Sequence, residues 1–241
     1  MFFEEHAKLL SDFARVSQAA GARADYVQGG GGNTSVKLPG GLMAIKASGF
    51  CLSDIRPDKA YAVLDGADLR NFYLTTEPSA HADVEKEGSA RAKADVRHID
   101  GLADLRPSVE AGFHSILKTF VVHTHSVYAN LAACSTACRP IAAQAFAGAG
   151  YTWGWVPYTD PGANLTFAIR DELRRVEKET GKIPSVILMQ NHGIIVHDDD
   201  PDTALAIHTD ANERLARMFG LSGTSFPKIA VREMAAGLYA A

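Results

Sequence analysis

Residues 119–125 have the sequence TFVVHTH, an apolar run that ends in two histidines separated by one residue. The residues before the first histidine are typical of a buried β-strand. Because alternate side chains of a strand project from the same face, His123 and His125 are predicted to lie side by side. Two imidazoles rarely share a strand face for packing alone, so this pair predicts a metal site at the end of a strand.

A third histidine and a carboxylate extend this candidate site. His192 lies in the motif QNHG after a second apolar run, and Glu110 stands thirteen positions before His123. Three histidines with one nearby carboxylate are typical of a catalytic zinc site, in which three protein ligands leave a coordination position open. These residues therefore predict a catalytic metal centre, with Zn²⁺ or another divalent ion as the cofactor.

The other six of the nine histidines are expected to have different roles. His114 lies four residues after Glu110 on one face of a predicted helix, where it could support the metal ligands from behind. His197 precedes an acidic run and is expected at a turn before a helix. Four more are expected to be surface or satisfied core residues: His6, His81, His98 and His208.

Composition limits the class of protein. The chain has 241 residues, 46% of them hydrophobic, and a formal net charge of -4, so one domain over residues 1–241 is expected. The sequence has no basic block of the kind that binds nucleic acid or a membrane surface. No apolar run approaches the roughly 20 residues of a membrane span. Cys51, Cys134 and Cys138 are typical of reduced thiols, so we expect a cytoplasmic protein. Cys134 and Cys138 are interpreted as a buried pair on one helix.

Apolar periodicity and turn signals predict an α/β fold, a single domain with a largely antiparallel central sheet and helices packed on it. Residues 75–106 are polar and charged, and we interpret them as a surface excursion, part helix and part loop. The predicted helices are Phe2–Ala20, Ser108–Lys118 with Ser108 as its cap, Val127 to about Ala137, Leu165–Glu179 and Asp202–Phe219. The other predicted strands are Ser35–Leu38, Leu42–Lys46, Tyr61–Leu64 followed by a turn at Asp65-Gly66, Ser185–Met189 and Ile194–Val196.

Residues 29–35, GGGGNTS, form a glycine run that ends in short polar side chains. The run lacks the Lys-Ser/Thr of a nucleotide-binding P-loop and leads into a strand rather than a helix. Its backbone N–H groups could bind an anion, and a flexible turn is the equal alternative. Ala47-Ser48-Gly49 and Ser108, at a predicted helix N-terminus, are further candidate anion-binding turns. Convergence of the three turns on the metal centre would suit a small phosphorylated substrate.

Five motifs, taken in order, resemble the class II aldolase/adducin family, which includes zinc-dependent fuculose-phosphate and rhamnulose-phosphate aldolases and related epimerases. The resemblance extends from the first predicted helix to about Leu221 and implies a three-layer α/β/α fold with helices on both faces of the sheet. The motifs are Gly32-Asn33-Thr34-Ser35, Ala47-Ser48-Gly49, Arg106-Pro107-Ser108-Val109-Glu110, Val122-His123-Thr124-His125-Ser126 and Gln190-Asn191-His192-Gly193.

The resemblance also implies roles for individual residues. It implies that His123, His125 and His192 ligate zinc, and that Glu110 is the general acid/base. The residues that it places around the substrate phosphate are Gly32, Asn33, Ser48, Gly49 and Ser108.

The implied reaction is retro-aldol cleavage of a small ketose phosphate to dihydroxyacetone phosphate and an aldehyde, in a homotetramer. The alternatives are a pentulose-phosphate 4-epimerase, a decarboxylase or dehydratase of a phosphorylated sugar acid or ketose, and a non-catalytic adducin-like binding domain. The family's aldolases often have a second serine where this chain has Val109. Their auxiliary tyrosine has no clear match here, and three candidates are open: Tyr128, Tyr151 and Tyr239.

Overall fold

A central eight-stranded β-sheet organises the computed structural model, which describes residues 1–221, 232–235 and 238–240. Its strands are β1 (Asn33–Leu38), β2 (Leu42–Lys46), β3 (Tyr61–Asp65), β4 (Val96–Arg97), β5 (Phe120–Thr124), β6 (Trp153–Val156), β7 (Val186–Met189) and β8 (Gly193–Asp198). The spatial order is β4-β3-β2-β1-β5-β8-β7-β6, and all neighbours are antiparallel except β6 and β7. A separate antiparallel pair consists of β9 (Arg232–Ala235) and β10 (Leu238–Ala240).

Helices cover both faces of this sheet. They are α1 (Phe2–Glu5), α2 (Ala7–Gly21), α3 (Gly66–Thr75), α4 (Val84–Ala94), α5 (Ala111–Ile116), α6 (Val127–Ala133), α7 (Cys138–Ala145), α8 (Ala163–Thr180) and α9 (Pro201–Met218). One face carries α3, α5 and α8, and the other carries α2, α6, α7 and α9. No helix in the described part of the chain combines the length and the apolarity that crossing a membrane requires.

Successive side chains of each strand pack against different helix layers. In β2, Met43 and Ile45 belong to the core beneath α3, α5 and α8, whereas Ala44 between them packs with α2. In β5, Val121 packs in the core beneath α3, α5 and α8, and Val122 packs on the side of α2. All five side chains are fully buried, because the strand alternation places one apolar row on each face. The predicted fold class, a largely antiparallel sheet between two helical layers, is confirmed.

Several elements of the structure are not predicted by the sequence pattern, among them α3, β4 and β6. Helix α3 begins at Gly66, where the sequence indicates only a turn, because the Asp65 side chain accepts a hydrogen bond from the Asp68 N–H and caps the helix. Strand β4 lies in the predicted excursion, residues 75–106, and pairs with the edge of β3. Strand β6 pairs in parallel with β7. Short edge strands such as these depend on their pairing partners more than on their own sequence pattern.

Helix α5 starts later than the sequence predicts, which corrects the role of Ser108 as a helix cap. Glu110 occupies the N-cap position instead, and the helix runs from Ala111 to Ile116. The Ser108 hydroxyl accepts a hydrogen bond from the Glu110 N–H at 3.2 Å. Ser108 therefore shapes the turn that leads into the helix.

The predicted helix from Val127 to about Ala137 is shorter than expected, which corrects the interpretation of two cysteines. Helix α6 ends at Ala133, and α7 starts at Cys138 after a turn. Cys134 is exposed and Cys138 is buried, so the two thiols do not form a buried pair on one helix.

His197 lies in β8 rather than at a turn, because the apolar run before it continues as a strand up to Asp198. It pairs with Val121 of β5 and is only 1% exposed. Burial lowers the pKa of His197 to about 3, so this imidazole is neutral in the folded protein at neutral pH.

Candidate metal centre

His123 and His125 lie at the end of β5, which pairs with β1 on one side and with β8 on the other. The buried His123 ring donates from Nδ1 to the carbonyl oxygen of Ile194 at 3.0 Å. A carbonyl can only accept, so in the neutral ring this bond leaves Nε2 with a lone pair. The Nε2 atoms of His123 and His125 are 3.1 Å apart. Both rings therefore present nitrogens to one small volume.

His192 reaches the same volume from the turn between β7 and β8. Asn191 has a positive φ of 54° in this turn, a conformation that asparagine adopts more readily than most residues. Gly193 then packs directly on β5, since a Cβ at this position would lie 2.4 Å from the Thr124 carbonyl oxygen. Glycine at position 193 therefore allows the turn to bring His192 close to β5.

Glu110 brings a carboxylate to the histidines from the N-terminus of α5. Its Oε1 lies 3.1 Å from Nε2 of His192 and 3.5 Å from Nε2 of His123. One ligand atom from each of Glu110, His123, His125 and His192 lies within 4.8 Å of the others. The structure thus brings together the four residues that the sequence singled out from three separate segments.

Glu110 and His125 have the protonation states that metal ligands need. Burial opposes ionisation of Glu110, but His123 and His192 outweigh it and hold the pKa of the carboxyl well below its ordinary value. Burial, followed by the same two neighbours, lowers the pKa of His125 to about 4. At neutral pH the site therefore contains an anionic carboxylate and a neutral His125, and metal binding requires both forms.

The chemistry and spacing of these donors fit a divalent cation. In a tetrahedral zinc site with bonds of about 2.0–2.1 Å, neighbouring ligand atoms lie roughly 3.3 Å apart. Three contacts between Nε2 and Oε1 atoms in this cluster are 3.1 to 3.5 Å, and all four ligand atoms lie within 4.8 Å of one another. A cation among these ligand atoms would compensate the negative charge of the Glu110 carboxylate. Glu110 and the three histidines are the residues that could hold it.

The glycine run lies next to this cluster. Gly32 has a φ of 73°, and a Cβ there would lie 2.8 Å from the His123 carbonyl oxygen, so glycine allows the run to pass close to β5. Asn33 pairs directly with His123 across β1 and β5 and is 2% exposed. Within the described part of the chain, Asn33 Oδ1 has no hydrogen-bond partner. The buried Asn33 side chain is therefore available to bind a substrate beside the candidate metal ligands.

Ser48 and Ser108 lie on two loops that are joined to each other. The Ser48 N–H donates to the Arg106 carbonyl oxygen at 2.9 Å. Ser108 in turn accepts from the N–H of Glu110. Gly49 follows Ser48 with a φ of 90°, which keeps the loop tight. Both loops are therefore connected through Glu110 to the cluster of histidines.

Lys46 is a cation beside the site that the sequence interpretation missed. It is 4% exposed, and its Nζ donates to the carbonyl oxygens of Phe50 at 2.8 Å and Gly30 at 3.4 Å. Burial lowers the pKa of Lys46, and the Glu110 carboxylate opposes that shift. The signal in the sequence is a lysine at the end of an apolar strand, directly before Ala47-Ser48-Gly49.

A buried hydrogen-bond network contacts β5 on the face opposite His123 and His125. Thr124, between the two histidines, places its Oγ1 2.7 Å from Nε2 of His208. The Asn212 side chain donates to the His208 carbonyl oxygen at 2.8 Å, and the Tyr26 ring packs edge-on against His208. His208 is the satisfied core residue that the sequence predicts, and it fixes the position of β5.

Residues 11–219 match the family model of the Class II Aldolase and Adducin N-terminal domain. The chain belongs to this family. Class II aldolases are metal-dependent and are typically enzymes, in agreement with the donor set at the end of β5. No curated protein sequence matches the chain.

Solved structures of class II aldolase proteins share this fold at low sequence identity. The N-terminal class II aldolase domain of a conserved protein from Thermoplasma acidophilum is 20% identical, with a TM-score of 0.70 over 86% of this chain and 92% of that chain. L-fuculose-1-phosphate aldolase from Thermus thermophilus is 15% identical, with a TM-score of 0.53 over 89% and 95%. Sugar-phosphate aldolase from Thermotoga maritima is 15% identical, with a TM-score of 0.57 over 89% and 96%.

Two of the three candidate auxiliary tyrosines of this chain are bound to carboxylates. The Tyr128 hydroxyl donates to Asp25 at 2.9 Å, and the Tyr151 hydroxyl donates to Asp210 at 2.9 Å. The side chain of Tyr239 lies outside the described residues. Neither described candidate therefore offers an unbound hydroxyl to a substrate.

The His114 ring makes no hydrogen bond to Glu110 or to the three clustered histidines, which corrects the expectation that it supports them directly. Its Nδ1 lies 2.8 Å from the Ser35 hydroxyl of β1. The neighbouring Phe113 ring packs edge-on against His123 instead. Val109, where related aldolases often have a serine, is 67% exposed.

Proposed function

We propose that this chain is a metal-dependent lyase that cleaves a small ketose phosphate into dihydroxyacetone phosphate and an aldehyde by a retro-aldol step, with zinc as the expected ion. The observation that carries the proposal is the cluster of Glu110, His123, His125 and His192, whose ligand atoms lie within 4.8 Å of one another. Membership of the class II aldolase family supports the same reaction class.

The three histidines would hold the ion, with Glu110 in reach of it. A bound divalent ion supplies Lewis-acid stabilisation for the negative charge that develops on the substrate oxygens when the C3–C4 bond breaks. His123 keeps its Nε2 directed into the site through the Ile194 carbonyl contact.

Glu110 would move the proton at C3 of the substrate. Cleavage leaves an electron pair on that carbon, and the dihydroxyacetone phosphate half takes up a proton there before it leaves. Glu110 is held at the N-cap of α5 and is nearly buried, so its carboxyl group is fixed in position and shielded from water. A positioned carboxyl of this kind contributes about 10²- to 10⁴-fold as a general acid or base.

The loops beside the cluster would hold the substrate phosphate. Gly32, Asn33, Ser48, Gly49 and Ser108 would supply backbone N–H groups, an amide and two hydroxyls. Lys46 supplies a buried cation between these loops, bound only to backbone carbonyl groups within the described residues. Backbone amides and short hydroxyls with a nearby cation are the groups that phosphate prefers.

Incubation of the zinc-loaded protein with a panel of ketose 1-phosphates and ketopentose 5-phosphates tests the reaction. We expect at least one ketose 1-phosphate to release dihydroxyacetone phosphate, and protein stripped with a chelator to release none. An epimerised ketopentose 5-phosphate would establish the epimerase instead, and CO2 from a phosphorylated sugar acid would establish the decarboxylase. Protein that binds no divalent ion and turns over no substrate would support the non-catalytic alternative.

The proposal includes a cytoplasmic homotetramer. Exposed apolar side chains support an interface near the site, since Val109 adjoins Glu110 and Leu131 lines a cavity of about 460 Å³ together with His125. Sedimentation equilibrium tests the oligomeric state, and a monomer at micromolar concentration would contradict it.

A further inference from the structure

A second cavity lies at the other end of the strands that carry the metal centre. It has a volume of about 560 Å³, and Lys37, Lys118 and Thr119 are part of its lining. His123 pairs with Asn33 at the metal end of β5 and β1, whereas Lys37 and Thr119 are hydrogen-bonded at the opposite end. The proposed reaction uses no residue of this cavity.

The walls combine apolar side chains with an excess of positive charge. Leu74, Ile116 and Leu173 contribute apolar surface. The charged lining residues are five cations and two carboxylates: Lys37, Arg70, Lys118, Arg170, Arg174, Glu177 and Asp199. A cavity of this size can enclose a small organic molecule, and its charge favours an anion.

Two of these cations are bound only to backbone carbonyl groups among the described residues. Lys37 Nζ donates to the His114 carbonyl oxygen, and Arg70 Nη1 donates to the Ser115 carbonyl oxygen at 3.1 Å. Among the side chains that the structure describes, no carboxylate oxygen lies within 4.0 Å of either cation, whereas Lys118 pairs with Asp198 at 2.9 Å.

The two cations also disfavour each other. Burial, followed by the Arg70 guanidinium, lowers the pKa of Lys37 well below its ordinary value, and the Asp199 carboxylate opposes this shift only in part. Lys37 is half-buried and Arg70 is exposed, so an anion beside both would compensate the positive charge that disfavours the ionised form of Lys37. A ligand with an anionic head group would provide that compensation.

We propose that this cavity binds a small organic anion, with an apolar body in the cavity and a phosphate or carboxylate group on Lys37 and Arg70. Guanidinium and ammonium groups bind both kinds of head group. The site is separate from the metal centre and does not depend on the reaction proposed for that centre.

The bound anion acts on the metal centre through α5. Lys37 and Arg70 donate hydrogen bonds to the carbonyl groups of His114 and Ser115. Both carbonyl groups belong to the last turn of α5, and Glu110 is the N-cap of the same helix. Cations stabilise the C-terminal end of a helix. An anion that draws Lys37 and Arg70 away loosens the last turn of the helix that positions Glu110.

Fluorine NMR with para-fluorophenyl phosphate tests the site, because each binding site gives its own bound resonance. We expect one bound resonance whose affinity falls about tenfold or more in Arg70→Gln, as for a lost charged hydrogen bond. Arg139→Gln removes an exposed cation elsewhere and leaves that affinity unchanged. Arg70→Lys keeps the charge and most of the affinity.

The uncharged probe para-fluorophenol should not displace this resonance, since the cations select an anion. Hydrogen–deuterium exchange of residues 111–116 should rise when the phosphate probe is added to the wild type, and should not change in Arg70→Gln. Bound resonances that are all insensitive to Arg70→Gln, or complete displacement by para-fluorophenol, would overturn the proposal. Thermal melting of all three variants verifies that they are folded.

Discussion

The two ends of β1, β5 and β8 differ in the chemistry that they expose. At the metal end, three imidazoles and the Glu110 carboxylate meet, and Gly32 and Gly193 allow backbone segments to pack closely around them. At the other end, cations surround an apolar cavity. Each end concentrates the groups that suit its expected ligand, donors for a cation at one and positive charge for an anion at the other. The same strands can therefore carry two sites, with α5 in contact with both.

The largest effect is expected from loss of a metal ligand. His123→Ala should reduce the affinity for zinc at least about 100-fold, since it removes a ligand that is held in place by the Ile194 carbonyl group. Metal content after dialysis, measured by plasma mass spectrometry, gives the result. His98→Ala changes an exposed histidine and should retain the full metal content. Full zinc occupancy in His123→Ala would refute the ligand role.

Loss of the acid/base should separate catalysis from metal binding. Glu110→Gln should retain zinc but lower turnover by about 10²- to 10⁴-fold. The matched change Glu177→Gln, in the cavity at the other end, should leave turnover near the wild-type value. Steady-state release of dihydroxyacetone phosphate measures both variants. Near-normal cleavage by Glu110→Gln would remove this residue from the mechanism.

Close packing at the metal end should make Gly193→Ala costly. Its Cβ would lie 2.4 Å from the Thr124 carbonyl oxygen, so the His192 turn must move away from β5. We expect the free energy of unfolding to fall by about 2–3 kcal/mol, together with weaker zinc binding. Urea denaturation measures the first effect. Gly150→Ala meets no atom within 4 Å and is the control, and equal stability of the two variants would contradict the packing argument.

The smallest effect, for a change of one pH unit, concerns one buried histidine at each end. Burial lowers the pKa of both His208 and His197 to about 3, below the value of about 6.5 in an unfolded chain. Their contribution to stability is therefore complete above pH of about 6.5. It is lost as the pH falls toward about 3, at up to about 1.4 kcal/mol per pH unit for each histidine.

Urea midpoints of metal-free protein across this pH range test the expectation. His208→Gln and His197→Gln should each reduce the acid sensitivity. The control is the exposed His98. Its hydrogen bond to Asp104 raises the pKa of His98, so its contribution to stability changes with pH in the opposite direction. An unchanged pH dependence in both buried variants would show that other groups cause the acid sensitivity.

Regular periodicity made much of the fold predictable. The hairpin of β1 and β2, the histidine-bearing strand β5 and the long helices α8 and α9 all agree with the pattern, because each buries one regular face. The pattern did not reveal β4 and β6 or the break between Cys134 and Cys138. Those features depend on pairing at the sheet edge and on a turn between two helices, which local sequence does not encode strongly.

The sequence by itself determined the family and the pair His123 and His125, because strand alternation is a local property with a period of two residues. Only the tertiary structure brought Glu110 and His192 to that pair, since their positions depend on where α5 begins and on how closely Gly193 approaches β5. The cavity at the other end is also a product of packing. Most of its cations come from β1, α3 and α8, so no sequence spacing predicts their meeting.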